Sequence, residues 1–217
     1  PKDIIQAEIE FKMPEPTKMR SYKPNYKPNK KQMSKAVEML KNAKRPVMFG
    51  GGGVISAQAS EEFTKIAKLA NLPVTATLMG LGAYPGSDDN WLGMLGMHGT
   101  YRANMSIGHS DLIFAAGVRF DDRVTGNLEK FAPDAKIIQI DIDPTSIHKN
   151  VEVDCPIVGD CKNALGGIVE LLKEKETADY VLDRTGWKDQ IQQWKDTTPL
   201  RYEMNDTVIK PQYVVEK

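Results

Sequence analysis

Short apolar runs alternate with stretches of helical period along most of this chain, and that alternation leaves few folds open. Pro46–Phe49, Pro73–Thr77, Leu112–Ala116, Ala135–Asp143 and Pro156–Val158 read as strands. Between them, apolar residues recur at the spacing i, i+3, i+4, i+7 of a helix face. Met33, Ala36, Val37 and Leu40 mark one such face, Phe63, Ile66, Ala67 and Ala70 a second, and Leu165, Ile168, Val169 and Leu172 a third. A further helix is expected over about 100–108. Strands that are apolar nearly throughout must be covered on both faces, so the sheet is mostly parallel and lies between two helix layers. The expected fold class is α/β, a doubly wound Rossmann-like sheet of five or six strands between residues 45 and 160.

The flanks differ. Five of the thirteen prolines fall in residues 1–30, and Lys23–Pro28 resists regular structure, so an extended N-terminal arm is expected there. Residues 31–175 are expected to form the central domain, and 176–217 a linker, a helix marked by Trp187, Ile191 and Trp194, and the start of a further domain at Pro211. The linker itself reads over 174–186. A chain that opens on Pro1 and stops about two turns after Pro211 reads as a piece of a longer protein. The stretch with Gly80, Gly82, Pro85 and Gly86 reads as a loop, and Met79, Met94, Met97 and Met105 as core, or as side chains beside a ligand crevice that adapt to a flat ring.

Charge and cysteine usage exclude some classes. Basic and acidic side chains balance at 29 each, which speaks against a nucleic-acid partner. No run of 18 apolar residues suggests a membrane span, and no secretory signal opens the chain. Cys155 and Cys161 read as reduced thiols, which suits the cytoplasm. No Cys or His cluster has metal-ligand spacing, and no nucleophile-elbow motif occurs.

The strand ends carry the chemistry, since ligands of open α/β sheets bind beyond the carboxyl ends of strands. Gly117–Gly126, GVRFDDRVTG, crowds two acids and two arginines behind a strand. Gly50–Gly53 lies between strand and helix, either as a flexible turn or as a cradle for a pyrophosphate. It lacks the G-x-G-x-x-G spacing, because Ser56 stands where the third glycine would be. Of the acids closing the 135–143 strand, Asp141 is read as facing a ligand and Asp143 as capping the turn at Pro144. Asp160 reads as a helix cap or a ligand contact, and His98 as structural or catalytic. Together with Thr77, these ends suggest one crevice for one extended ligand.

These segments, in this order, resemble the central domain of the catalytic subunit of acetohydroxyacid synthase, also called acetolactate synthase. The resemblance is carried by Lys44-Arg45-Pro46-Val47 with Gly51–Gly53, by Thr77–Gly82, by Leu95–Thr100, by Gly117–Gly126, by Ile140–Pro144 and by Gly159-Asp160. It implies a cytoplasmic homodimer or homotetramer of three-domain subunits, with thiamine diphosphate and Mg2+ held by the outer domains. It implies condensation of pyruvate with a second 2-ketoacid, pyruvate or 2-ketobutyrate, on the path to branched-chain amino acids, and a small regulatory subunit. It also implies FAD, without net redox chemistry, on the central domain. The FAD contacts so implied are Gly52, Thr77, Leu78, Leu95, Gly96, Met97, His98, Gly117, Val118, Arg119, Phe120, Asp121, Asp141, Ile142, Asp160 and Cys161. The implied substrate channel is lined by Lys2, Met97, Asp122 and Arg123, with Arg123 holding the carboxylate of the second ketoacid. The family's catalytic glutamate and its GDG…N motif are absent, and Gly159-Asp160 is followed by Cys161, so the isolated chain is expected to be inactive. The alternatives are a non-catalytic nucleotide-binding module of another thiamine-diphosphate enzyme, such as a decarboxylase or pyruvate oxidase, and a free-standing oxidoreductase.

Overall fold

The computed structural model describes residues 2–13, 15, 24–174, 183–197 and 202–217. A short helix α1 (Lys2–Gln6) precedes α2 (Lys30–Asn42), whose first turn is capped by the Asn29 side chain. Then follow β1 (Pro46–Gly50), α3 (Gly52–Ser56), α4 (Ser60–Leu69), β2 (Val74–Ala76) and β3 (Trp91–Met94). Next come α5 (Tyr101–Gly108), β4 (Leu112–Ala116), α6 (Asp122–Thr125), β5 (Lys136–Asp141) and β6 (Cys155–Val158). The last elements are α7 (Cys161–Lys173), α8 (Thr185–Thr197) and α9 (Pro211–Glu216).

Among the described residues the strands form one six-stranded sheet in the order β3-β2-β1-β4-β5-β6, and every pairing is parallel. The fold is therefore the doubly wound Rossmann-like α/β class, with a wholly parallel sheet. The chain lays down β1 to β3 in one direction, then returns to place β4 beside β1 and proceeds the other way. The β1–β4 junction is thus the topological switch point, where a crevice opens beyond the carboxyl ends.

Alternation along each strand divides the core in two. Met48 of β1 and Phe114 of β4 face a cluster that includes Leu40 of α2, Phe63 and Ile66 of α4, and Leu165 and Ile168 of α7. Val47 and Phe49, with Ile113 and Ala115, face the opposite cluster, completed by Ala103 and Ile107 of α5 and by Trp187 and Ile191 of α8. Each fully buried aliphatic or aromatic side chain contributes about 1.5–3 kcal/mol of transfer free energy.

Helix α8 is fastened by polar as well as apolar contacts. Trp187 Nε1 donates to Pro46 O at 3.2 Å. Arg184, 6% exposed, donates from Nη2 to Leu40 O at 2.6 Å, from Nε to Ala43 O at 3.2 Å, and from Nη1 to Ala70 O. Those three carbonyls close the C-termini of α2 and α4, whose last turns leave acceptors unpaired.

Several expectations are corrected. Strand β3 lies inside the stretch read as loop, because Gly93, at φ +92°, interrupts its short apolar run. The methionines are not core: Met79 and Met97 are 72% and 65% exposed, and Met94 and Met105 are half-buried. Met79 and Met97 lie in the segments that follow β2 and β3, Met94 ends β3, and Met105 lies within α5. The arm contains α1, and residues 24–29, although without helix or strand, are pinned to the sheet. Asn25 N donates to Ile142 O at 3.1 Å, and Asn25 Nδ2 to Val158 O at 3.3 Å. The linker read over 174–186 falls mostly outside the described residues, and α8 begins at Thr185, inside its range.

Candidate functional site

Beyond the carboxyl ends of the strands runs a groove of about 850 Å3. Its lining comes from the ends of β1, β2, β4, β5 and β6, with Tyr26 of the arm at one side. Five separated segments therefore share one elongated space, of the size that small-molecule and cofactor sites occupy.

The floor is backbone. Gly51 N donates to Ala116 O at 2.9 Å, and Gly53 N to Gly117 O at 3.1 Å. Gly117, at φ +60°, approaches so closely that a Cβ there would stand 2.5 Å from Gly53 Cα. Only glycines permit this contact, which ties the two central strand ends together directly under the groove. Gly52 and Gly53 line the groove, followed by Thr77, Leu78 and Met79 from the end of β2. Thr77 caps its own short turn, accepting from Gly80 N at 3.1 Å, while Leu78 stands 68% exposed.

The charged segment after β4 splits into two ion pairs. Arg119 Nη2 meets Asp121 Oδ2 at 2.6 Å, and Arg123 Nε meets Asp122 Oδ2 at 3.9 Å. All four side chains are exposed, so these pairs add little stability. Val118 and Phe120 turn inward and are buried, and Phe120 holds φ +53°, unusual for a residue with a Cβ. Gly117 through Asp121 and Arg123 line the groove, whereas Asp122 does not.

The Leu95–His98 loop adjoins the groove and is not part of its lining. Leu95 is buried and donates its N–H to Ala76 O at 3.0 Å, while Met97 and His98 are exposed. Met97 N donates to Arg123 O at 3.1 Å, and a Cβ on Gly96 would lie 2.4 Å from that same oxygen. Asn104 fixes the loop from α5, accepting from Gly96 N and donating to Gly96 O, both at 3.1 Å. Met97, Asp122 and Arg123 thus gather at one end of the groove. Lys2 starts α1, and its side chain lies outside the described residues.

At the other end the two acids of β5 separate in character. Asp143 caps the turn at Pro144–Ser146, accepting from Thr145 N at 2.9 Å and from Thr145 Oγ1 at 2.8 Å. Those bonds hold its pKa below the ordinary carboxylate value. Asp141 is 9% exposed, lines the groove, and accepts from Asp143 N at 2.9 Å. Burial raises its pKa above the ordinary 3.8. Ile142 lines the groove beside it. Asp160 both caps α7, through Asn163 N at 3.1 Å, and lines the groove. Burial pushes the neighbouring Cys161 thiol up to about 12, so it stays neutral and unreactive.

The raised Asp141 pKa fixes the sign of a pH effect. A carboxyl whose native pKa exceeds its unfolded value takes up a proton first in the folded state. Its contribution to stability therefore rises as pH falls through the raised value, and is complete below the ordinary 3.8. Asp141→Asn removes the buried charge and keeps an oxygen for Asp143 N. Without ligand at neutral pH, its thermal midpoint is expected to rise above that of the wild type, which scanning calorimetry would show. A lower midpoint would contradict the assignment of burial as the dominant cause.

The structure adds residues that sequence reasoning did not single out. Ser146 returns to the groove because the turn at Pro144 folds back, and Asp143-Pro144 is a signal for that turn. Tyr26 is brought in by the docked arm, with Asn163 Nδ2 donating to its carbonyl at 3.0 Å. Nothing in a proline-rich arm marks which tyrosine will dock. Among the described residues, no group of three or more His, Cys, Asp or Glu could hold a metal ion. No described helix is long and apolar enough to cross a membrane.

Residues 33–168 match the family model for the central domain of thiamine pyrophosphate enzymes. The chain belongs to that family. Its relatives narrow the comparison. An acetolactate synthase large subunit of Haemophilus influenzae is 50% identical over 218 residues, covering 100% of this chain and 38% of that protein. The acetolactate synthase isozyme 3 large subunit of Escherichia coli K12 is 47% identical, with the same coverage of each. An acetolactate synthase of Mycobacterium leprae is 43% identical over 100% of the chain and 35% of its own length. This central domain therefore spans little more than a third of the curated relatives it matches.

Proposed function

We propose that this chain is the FAD-binding central part of an acetolactate synthase large subunit. The observation that carries the proposal is the 50% identity to such a subunit across the whole chain. The groove supports the cofactor assignment: it is elongated, floored by glycine backbone and ends at a buried carboxylate. In this reading Gly52, Gly117–Asp121 and Thr77–Leu78 hold the dinucleotide along the sheet. Asp141, Ile142, Asp160 and Cys161 hold its nucleoside end, where a carboxylate accepts from a ribose hydroxyl or an adenine amino group. Leu95–His98 close the flavin end.

Lys2, Met97, Asp122 and Arg123 then form one wall of the substrate channel. The planar guanidinium of Arg123 is suited to grip the carboxylate of the second ketoacid by paired hydrogen bonds. Decarboxylation and carbon–carbon bond formation draw on thiamine diphosphate, with Mg2+, bound by other parts of the synthase. The whole protein would act on pyruvate and 2-ketobutyrate in the cytoplasm, as a homodimer or homotetramer with a small regulatory subunit, and this chain alone would form no acetolactate.

The test uses the full-length protein. Wild type is expected to purify with a visible flavin band, or to acquire one on titration with FAD. Arg123→Ala is expected to keep that band while its KM for the second ketoacid rises by roughly 10–100-fold, the worth of a charge-assisted hydrogen-bonded contact. Equal loss of flavin and ketoacid use would remove Arg123 from the substrate wall. No flavin uptake by wild type would leave the non-catalytic nucleotide module as the better reading.

A further inference from the structure

Three consecutive carbonyls of the segment after β4 are each held by a side-chain amide. Gln139 Nε2, buried within β5, donates to Val118 O at 3.0 Å. Asn150 Nδ2 donates to Arg119 O and to Phe120 O, both at 3.1 Å. The N–H groups of Val118 through Asp121 meet no acceptor among the described residues. The segment is thus polarised, with its carbonyls engaged and its donors uncommitted beside the groove.

This arrangement does not arise from the local chain. Phe120 sits at φ +53°, a conformation that residues with a Cβ rarely adopt unless surroundings impose it. Its ring packs edge-on against Phe49 and Phe131, with centroids 5.9 and 6.0 Å away. Asn150 supplies the matching polar restraint. One amide nitrogen has two N–H groups, enough for two successive carbonyls, which an acid cannot provide. The loop bearing Asn150 is itself anchored: Val153 N donates to His148 Nδ1 at 3.2 Å, and Ile137 N to Asp154 Oδ2 at 2.8 Å. Neither Asn150 nor Gln139 lines the groove.

We propose that Asn150, assisted by Gln139, is a positioning residue that holds residues 118–121 with their N–H groups free for an acceptor-rich ligand, and so sets affinity for that ligand. Resting on the flavin reading above, the ligand is a flavin dinucleotide, whose ring carbonyls and phosphoryl oxygens are acceptors. Asn150 acts through the backbone of Arg119 and Phe120.

In the full-length protein, Asn150→Ala is expected to raise the FAD Kd about tenfold, the worth of two neutral hydrogen bonds. Asn150→Asp is expected to exceed that, because a carboxylate would face two carbonyl oxygens. Lys149→Ala, on the same loop, should leave the Kd at the wild-type value, and all three variants should keep wild-type affinity for thiamine diphosphate. A readout without ligand accompanies these. In the FAD-free protein, trypsin should cut after the exposed Arg119 several-fold faster in Asn150→Ala than in wild type. Unchanged FAD affinity with unchanged cleavage would overturn the positioning role. So would a loss of thermal stability that lowers FAD and thiamine-diphosphate affinity alike, which would assign Asn150 to the fold alone. A wild-type protein that takes up no FAD overturns the flavin reading instead, and the cleavage rate still decides whether Asn150 restrains the segment.

Discussion

Gly117→Ala is expected to remove about 2–5 kcal/mol from the stability of the chain. Two costs combine. At φ +60° an alanine pays the left-handed penalty of about 1–2 kcal/mol. The new Cβ also stands 2.5 Å from Gly53 Cα and 2.8 Å from Gly53 C and Val54 N. These are backbone atoms, and they cannot retreat, since Gly53 N is bonded to Gly117 O and Gly51 N to Ala116 O. Overpacking of that kind costs about 1–3 kcal/mol more. Gly82 provides the comparison: its φ is +91°, and nothing lies within 4 Å of where its Cβ would stand. Gly82→Ala should therefore show about 1–2 kcal/mol, the conformational part alone. Urea unfolding of both variants separates the contributions, and equal losses would show that the close contact is not what demands glycine at 117.

Arg184→Met is expected to cost about 3–5 kcal/mol, although Arg184 is far from the groove in sequence and takes no part in its lining. The substitution keeps an apolar stem of similar reach and deletes the guanidinium. Three carbonyls, of Leu40, Ala43 and Ala70, then lose their donor inside the protein. Each buried acceptor left unpaired costs about 1–3 kcal/mol. The positive charge also complements the C-terminal ends of α2 and α4 together. Arg184→Lys should recover only part of the loss, since an ammonium lacks the planar fork that spans three acceptors. Urea unfolding gives the magnitude. Trp187 fluorescence gives the location, because release of α8 exposes an indole that now donates to Pro46 O. A change below about 1 kcal/mol for Arg184→Met would show that solvent replaces the guanidinium at those carbonyls.

Patterning made the sheet legible. Strands β1, β4 and β5 are buried nearly throughout, and such strands have to be apolar nearly throughout. Strand β3 leaves no such pattern, because it is a half-buried edge strand broken by Gly93, so neither alternation nor a continuous apolar run survives. The strand-end acids show a similar division. Asp143 and Asp160 carry local capping signals, and the structure has both capping. Asp141 has no local signal for its burial, which depends on β6 pairing alongside it. The Asn25 bonds to Ile142 O and Val158 O, and the Asn150 bonds to Arg119 O and Phe120 O, join this chain's asparagines to backbone oxygens. Every residue offers such an oxygen, so no residue type marks the acceptor, and contacts of that kind leave no trace in a sequence pattern. The exposed Met79 and Met97 make the same point from the other side, because hydrophobicity alone does not distinguish a core position from a loop at the rim of a crevice.

The strand order has a kinetic corollary. Strand β1 pairs with β2 and β4, both later in the chain, and β4 is separated from it by two further strands. As the polypeptide emerges from the ribosome, β1 to β3 can associate first, with the β4-facing edge of β1 still open. Parallel pairing of distant segments is slow, because chain closure is paid before contacts are gained. The Gly53–Gly117 contact forms only when β4 arrives at that edge, so the floor of the cleft is completed after the β1–β3 half of the sheet. Until then the apolar edge of β1 is a surface for mispairing, and a substitution that delays β4 would show itself first as aggregation of newly made chains.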